Sequence, residues 1–211
     1  LFSVTRPADA WLDGEVMVLE GEPLLEAGAI GLAGRHNLAN ALASILAADE
    51  LGVDRAAIRA SLGAFRGLDH RHRVVLERDG VRWIDDSKAT NVGATLAGLE
   101  GYPERSLHLI LGGQAKGQDF SVLRDEVARA VRRLYVIGVD GPAVAAALAG
   151  TAPVESCGDL DEAVRRARAL AVAGESVLLA PACASFDQFS GYAERGDRFT
   201  ELALGEVASC P

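Results

Sequence analysis

Residues 86–91, Asp-Ser-Lys-Ala-Thr-Asn, place a carboxylate, a hydroxyl, an ammonium, a second hydroxyl and an amide within six positions. Arg82-Trp83-Ile84 ahead of them has the β-branched and aromatic character of a strand. Asn91 opens a helical run from Val92 to Leu99 and is suited to cap it. Asp86, Ser87, Lys88 and Thr90 are therefore expected on the lip between a strand end and a helix N-terminus. In open α/β sheets that lip is where ligands bind, and the helix terminus adds unpaired N–H groups that favour anions. The competing reading is a polar loop with a good cap.

Two further segments repeat this layout. The apolar run Leu107–Leu111 leads into Gly112-Gly113-Gln114-Ala115-Lys116-Gly117-Gln118-Asp119. Glycines let backbone N–H groups come close to a ligand, and Lys116 is a mobile point charge suited to a carboxylate or a phosphate. The run Ser176–Ala180 leads into Pro181-Ala182-Cys183-Ala184-Ser185-Phe186-Asp187-Gln188-Phe189, followed by Ser190, Gly191, Tyr192 and Glu194. Three strand ends carrying Lys88 and Thr90, Lys116, and Ser185 could meet around one small anion.

The elements that must position these residues are legible in outline. Short strand-like pieces such as Glu15–Leu19 fill residues 2–32. Helices are expected at 36–50, where Leu38, Leu42, Ile45 and Leu46 share a face, and at Arg55–Phe65 with Asp54 as cap. Runs 74–78 and 81–85 flank Asp79-Gly80, a hairpin signal. Beyond them the order is helix 91–100, strand 107–111, helix 120–131, strand 133–138, helix 141–149, strand 153–156, helix 159–173, strand 176–180 and helix 186–205. Such alternation implies a mostly parallel, doubly wound Rossmann-like sheet with a hairpin at its N-terminal edge. Gly67-Leu68-Asp69 is the expected hinge between a segment 1–66 and a domain 67–211.

Composition narrows the classes. A net charge of −9 argues against a nucleic-acid surface. No apolar run is long enough for a membrane span, and no signal peptide is visible. Cys157, Cys183 and Cys210 show no metal-ligand spacing, and their odd count suits reduced thiols in a cytosol. The Ala- and Arg-rich, Lys-poor composition suggests a bacterial source.

In order along the chain, Gly34-Arg35-His36-Asn37-Leu38-Ala39-Asn40, Gly67-Leu68-Asp69-His70-Arg71, the 86–91 segment, Leu-Gly-Gly-x-x-Lys at 111–116, and 181–189 resemble the motifs of the Mur ligases of peptidoglycan synthesis. The resemblance spans roughly residues 28 to 203. The Ser-Lys-Ala-Thr-Asn and Ala-Cys-Ala-Ser-Phe-Asp-Gln-Phe pieces point to the branch that adds D-glutamate. Such enzymes have a uridine-nucleotide domain, a central ATPase and a C-terminal Rossmann-like domain. This chain starts at Leu1 and contains no Gly-x-x-Gly-Lys-Ser/Thr loop. The resemblance therefore implies the C-terminal half of such an enzyme, inactive alone, with 1–66 the tail of the ATP-binding domain and 67–211 the amino-acid-binding domain.

The resemblance implies an ATP-dependent ligase that joins D-glutamate to UDP-N-acetylmuramoyl-L-alanine through an acyl phosphate. It implies ATP and Mg²⁺ as cofactors, with the magnesium ligands outside this chain, and a cytoplasmic monomer. Lys88 would face the acceptor carboxylate and the phosphate developing on it. Thr90 and Lys116 would take one carboxylate of D-glutamate, and Ser185 with a backbone N–H near Tyr192 the other, with Ser87 nearby. Asp86 would face ribose, Arg71 the phosphates or base, and Asn37 and Asn40 the adenine, whose edges amides can match. His70 and His72 are expected to be structural or exposed. The chain departs from the family at Tyr192, where Phe is expected, at Gln114, where an acid is expected beside Lys116, and at Asp69, where Pro is expected. Alternatives are another Mur- or folylpolyglutamate-type ligase, or a non-catalytic Rossmann-type domain. The latter would favour a Gly-x-Gly-x-x-Gly fingerprint, which the sequence lacks.

Overall fold

The computed structural model describes residues 1–30, 35–65 and 67–205, without the side chains of Arg35 and His36. Gly34 and Cys210, both named above, lie outside the described residues. The chain divides into two compact units, Leu1–Gly67 and Leu68–Pro211.

In the first unit β1 (Phe2–Ser3), β2 (Ala10–Asp13), β3 (Val16–Leu19) and β4 (Glu22–Glu26) form one sheet in that order, with β1 parallel to β2 and the rest antiparallel. Helix α1 (Arg35–Glu50) is followed by α2 (Arg55–Ala64), which Asp54 caps by accepting the amides of Ala56 and Ala57. Met17, Leu19, Leu24, Leu42, Ile45 and Ile58 make a core of this unit's own.

In the second unit β5 (Arg73–Arg78) and β6 (Val81–Asp85) form the hairpin around Asp79-Gly80. Then come α3 (Val92–Leu99), β7 (Leu107–Gly112), a 3₁₀ turn (Phe120–Leu123), α4 (Arg124–Ala130), β8 (Val131–Ile137), α5 (Gly141–Ala147), β9 (Val154–Gly158), α6 (Leu160–Leu170), β10 (Ser176–Leu179) and α7 (Tyr192–Leu204). The sheet order is β5-β6-β10-β7-β8-β9; β5 is antiparallel and the other five strands run parallel.

Each central strand is apolar on both faces, as burial between two helix layers requires. Leu107, Leu109 and Leu111 of β7, Leu134 and Val136 of β8 and Leu178 of β10 pack with α3, α4 and α5. Ile110, Tyr135, Ile137, Val177 and Leu179 on the opposite pleat pack with α6 and α7. This is the doubly wound α/β arrangement expected from the sequence.

Several helices end one to three residues short of expectation, α6 at Leu170 among them, and two differ more deeply. Residues 186–191 are not helical, and α7 starts at Tyr192. The carbonyl of Ser185 accepts the amides of Gln188 and Phe189 in a turn. Asp187 and Glu194 hold the amides of Val139 and Ser190. These local bonds satisfy the backbone without a helix. The expected helix 120–131 is broken as well. Asp119 caps the 3₁₀ turn through the Ser121 amide, and Val131 leaves to begin β8.

Candidate active site

Strand β10 lies between β6 and β7, and Leu179 is in register with both Asp85 and Ile110. The C-terminal ends of these parallel strands are therefore neighbours, and the loops 86–91, 113–119 and 180–191 leave the sheet along the same edge. Backbone bonds stitch them together. The amides of Asp86, Gly112 and Ala182 donate to the carbonyls of Leu179, Pro181 and Ala89. Gln114 and Ala184 exchange both of their backbone bonds, at 2.9 and 3.0 Å.

Two side chains complete the tie. Gln118 donates to the Ala182 carbonyl and accepts the Val92 amide at the start of α3. Arg195, on the first turn of α7, donates from Nε to the Ser87 hydroxyl and from Nη2 to the carbonyls of Ser87 and Cys183, each at 3.0 Å. Arg195 is 1% exposed, and its Nη1 has no hydrogen-bond partner among the described residues. Burial pushes its guanidinium down to about 10, so it remains charged at neutral pH.

Close packing explains the glycines. Gly113 sits at φ +129, and a Cβ there would meet the Ala184 carbonyl oxygen at 2.3 Å and Arg195 Nη1 at 3.2 Å. Gly138 packs on Gly113 from β8's end. Asp140 beyond it accepts the Ala115 amide at 2.7 Å while its own amide donates to Gly113, so the Lys116 loop is held from two sides.

The expected site residues fall as follows. Lys88 is half-buried, with Nζ 3.9 Å from the centre of the Tyr192 ring. Thr90 is half-buried on the same loop, and its amide donates to the Lys88 carbonyl. Lys116 is exposed on the neighbouring loop, and Ser185 is buried on the third. These four therefore sit on three adjoining loops. Ser87 is buried and its hydroxyl is committed within the protein: it donates to the Tyr192 carbonyl and accepts from Arg195. Asn91 caps α3 through the Ala94 amide.

The residues expected at a nucleotide divide between the units. Asn37 and Asn40 stand one turn apart on α1 in the first unit, while Arg71, exposed, and Asp86 belong to the second. Asp86 accepts the His72 amide with one carboxylate oxygen, while the other lies 3.5 Å from His72 Nδ1. His70 Nδ1 lies 2.7 Å from the buried carboxylate of Asp85, and the His70 carbonyl accepts the Lys88 amide. Burial pushes the Asp85 carboxyl up, while His70 and the Ser87 amide pull the other way. A cavity of about 260 Å³ beside this pair, lined also by Asp69, Arg73, Asp197 and Thr200, contains none of the expected site residues. Among the described residues, no group of three or more His, Cys, Asp or Glu side chains could hold a metal ion.

Sequence reasoning missed Arg195 and Gln118. Arg195 had a signal: it falls four residues before Phe199 and eight before Ala203, on the buried stripe of α7, where an unneutralised cation must be bonded to something. A second signal is a count. Lys88 and Lys116 are the chain's only two lysines, and both stand on these loops.

The sequence model described as "Mur ligase, glutamate ligase domain" matches residues 70–183, more than half of the chain. The chain belongs to the Mur ligase family. Among curated relatives, the UDP-N-acetylmuramoylalanine--D-glutamate ligase of Alcanivorax borkumensis is 46% identical over 207 residues, covering 96% of this chain and 47% of the relative. The protein of the same name from Solibacter usitatus is 44% identical over 206 residues, covering 97% and 46%. The chain thus spans about half the length of the curated relatives it matches.

Solved Mur ligases share the fold. The UDP-N-acetylmuramate-alanine ligase MurC of Thermotoga maritima superposes with a TM-score of 0.68 at 19% identity, over 98% of this chain and 48% of that one. A bifunctional folylpolyglutamate synthase/dihydrofolate synthase from Yersinia pestis does so at 0.58 and 22% identity, over 93% and 43%. In this Mur ligase chain no described helix is long and apolar enough to cross a membrane.

Proposed function

We propose that this chain carries the amino-acid-binding site of an ATP-dependent, cytoplasmic and monomeric ligase that joins D-glutamate to UDP-N-acetylmuramoyl-L-alanine. In this reading 1–66 is part of a central ATP-binding domain and 67–211 is the amino-acid-binding domain. The observation that carries it is the placement of both lysines, with Thr90 and Ser185, on three stitched loops at the C-terminal edge of the parallel sheet. A dicarboxylate needs a cation and hydrogen-bond donors at two separated points, and a developing phosphate needs a further positive charge nearby. The names of the relatives at 44–48% identity support D-glutamate as the amino acid.

The residues divide the work. Lys116 and Thr90 hold one carboxylate; Ser185 and the backbone N–H of Tyr192, at the open first turn of α7, hold the other. Two-point binding fixes the amine of D-glutamate in an attacking pose. Ser87 shapes the loop, since its hydroxyl is spent on Tyr192 and Arg195. When bound, ATP supplies the phosphoryl group that converts the acceptor carboxylate to an acyl phosphate. Lys88 offsets the negative charge that reorganises there, where fixed cations act most strongly on the barrier. Within the second unit the donor set suits a nucleotide in part: Arg71 offers an exposed cation for phosphates, and Asp86 a carboxylate for ribose with one oxygen already engaged by His72.

The test is Lys88→Ala in the complete ligase. The expected result is a fall in kcat on the order of 10²–10³, as for loss of a transition-state donor. A kcat near the parent value would overturn the role given to Lys88.

A further inference from the structure

Tyr192 carries a second relationship beyond its backbone. Its carbonyl accepts the Ser87 hydroxyl, which fixes the start of α7 against the 86–91 loop. Its ring then lies under the Lys88 ammonium at 3.9 Å, with the His70 ring meeting it edge-on at 6.0 Å. We propose that Tyr192 is a positioning residue whose ring holds the Lys88 ammonium poised at the mouth of the site.

The need for such a holder follows from the charges around it. Asp86 is two residues away and is half-occupied by His72. Asp85 is engaged by His70 and the Ser87 amide, and Glu194 by Ser190. Among the described residues Lys88 makes no ion pair. A lysine locked to a carboxylate would have to break a charge-assisted bond before meeting a substrate anion. An aromatic face attracts the cation more weakly and without a directional acceptor. It restrains a long flexible side chain yet yields it to a carboxylate or phosphate. Lys116, exposed on its own loop, has no such ring among the described residues. The phenol at position 192 keeps this face, and any aromatic residue there would serve.

The value of this pose in catalysis rests on the ligase reading; the pose itself does not, and the experiment separates the two. Reductive methylation of the chain with ¹³C-formaldehyde labels only Lys88, Lys116 and the amino terminus while keeping the lysine charge. Lys88→Arg assigns the signals. The Lys88 dimethyl resonance is expected upfield of that of Lys116, from the ring current of Tyr192. It should stay upfield in Tyr192→Phe and collapse onto the Lys116 position in Tyr192→Leu. Inorganic phosphate should move it toward the Lys116 position as the ammonium leaves the ring. Coincident Lys88 and Lys116 signals in the parent, or an upfield signal that survives in Tyr192→Leu, would overturn the proposal. Tyr192 is partly exposed, and the remaining methyl spectrum verifies that Tyr192→Leu is folded. In the complete ligase Tyr192→Leu should lower kcat by between about tenfold and a hundredfold, with a smaller change in the KM for ATP; an unchanged kcat would remove the positioning role. Absence of turnover by the parent ligase would count against the ligase reading and leave the resonance result standing.

Discussion

Arg195 bonds Ser87 twice, from Nε to the hydroxyl and from Nη2 to the carbonyl, and the same Nη2 reaches the Cys183 carbonyl. One guanidinium on α7 thereby fixes the loops after β6 and β10. It is a buried cation neutralised by backbone dipoles and a hydroxyl, with no carboxylate among the described residues bonded to it.

Arg195→Ala should therefore cost stability through several lost donors and a cavity at once. Each hydrogen bond to a charged group contributes about 1.5–3 kcal/mol, and the carbonyls of Ser87 and Cys183 would be left unpaired inside the protein. Arg195→Lys should not restore the parent, because an ammonium lacks the planar fork that spans both loops. Urea denaturation of both variants measures this; parental stability in Arg195→Lys would show that charge alone matters there.

Gly113→Ala should loosen the Lys116 loop. The new methyl would stand 2.3 Å from the Ala184 carbonyl oxygen, at φ +129. The neighbour is backbone, so the Gln114–Ala184 bridge must open. The expected cost is about 1–3 kcal/mol of strain, with faster amide exchange at Gln114 and Ala184. Unchanged protection of those two amides would contradict it.

Lys116→Ala should raise the KM for D-glutamate in the complete ligase by roughly 10- to 100-fold, the loss of one charge-assisted bond. The KM for ATP should move far less. An equal effect on both would place Lys116 at the phosphates. Gln114→Glu tests the family departure beside it: a restored acid should alter the orientation of Lys116, read as a change in the same KM.

Asp85 predicts a pH dependence with a definite sign. Its folded pKa is raised above 3.8, mainly by burial. Its protonated form is thus favoured by folding: the stabilisation is complete below the unfolded value and is lost as pH rises through the raised folded value. Asp85→Asn removes this component while still accepting the Ser87 amide. The stability difference, parent minus Asp85→Asn, should therefore grow in the parent's favour as pH falls from 7 toward 4 in urea titrations. A difference that shrinks on acidification would reverse the assignment.

Much of the fold could be read from the chain because its signals are local. The Asp79-Gly80 turn, the caps Asp54 and Asn91 and the apolar runs at 107–111 and 176–179 each specify structure through neighbours a few residues away. The start of α7 differs for the same reason: 186–191 has a helical pattern, yet bonds to Val139 and to Ser185's own turn hold it in turns and bends. The candidate site was legible as three polar strand ends with Lys88, Thr90, Lys116 and Ser185, which the fold sets on adjoining loops.

By itself, the sequence determined the order of strands and helices, the two-sided burial of the central strands and the chemical inventory of the three loops, since residue type and spacing report local burial and backbone preference. Only the tertiary structure decided that β10, the last strand made, inserts between β6 and β7, and that Arg195 and Gln118 then reach across to bind the loops together. Periodicity says that a strand is buried but not which strand lies beside it. That choice depends on contacts a hundred residues apart, such as Arg195 on Ser87 and Lys88 over Tyr192, and they exist only once the sheet has closed.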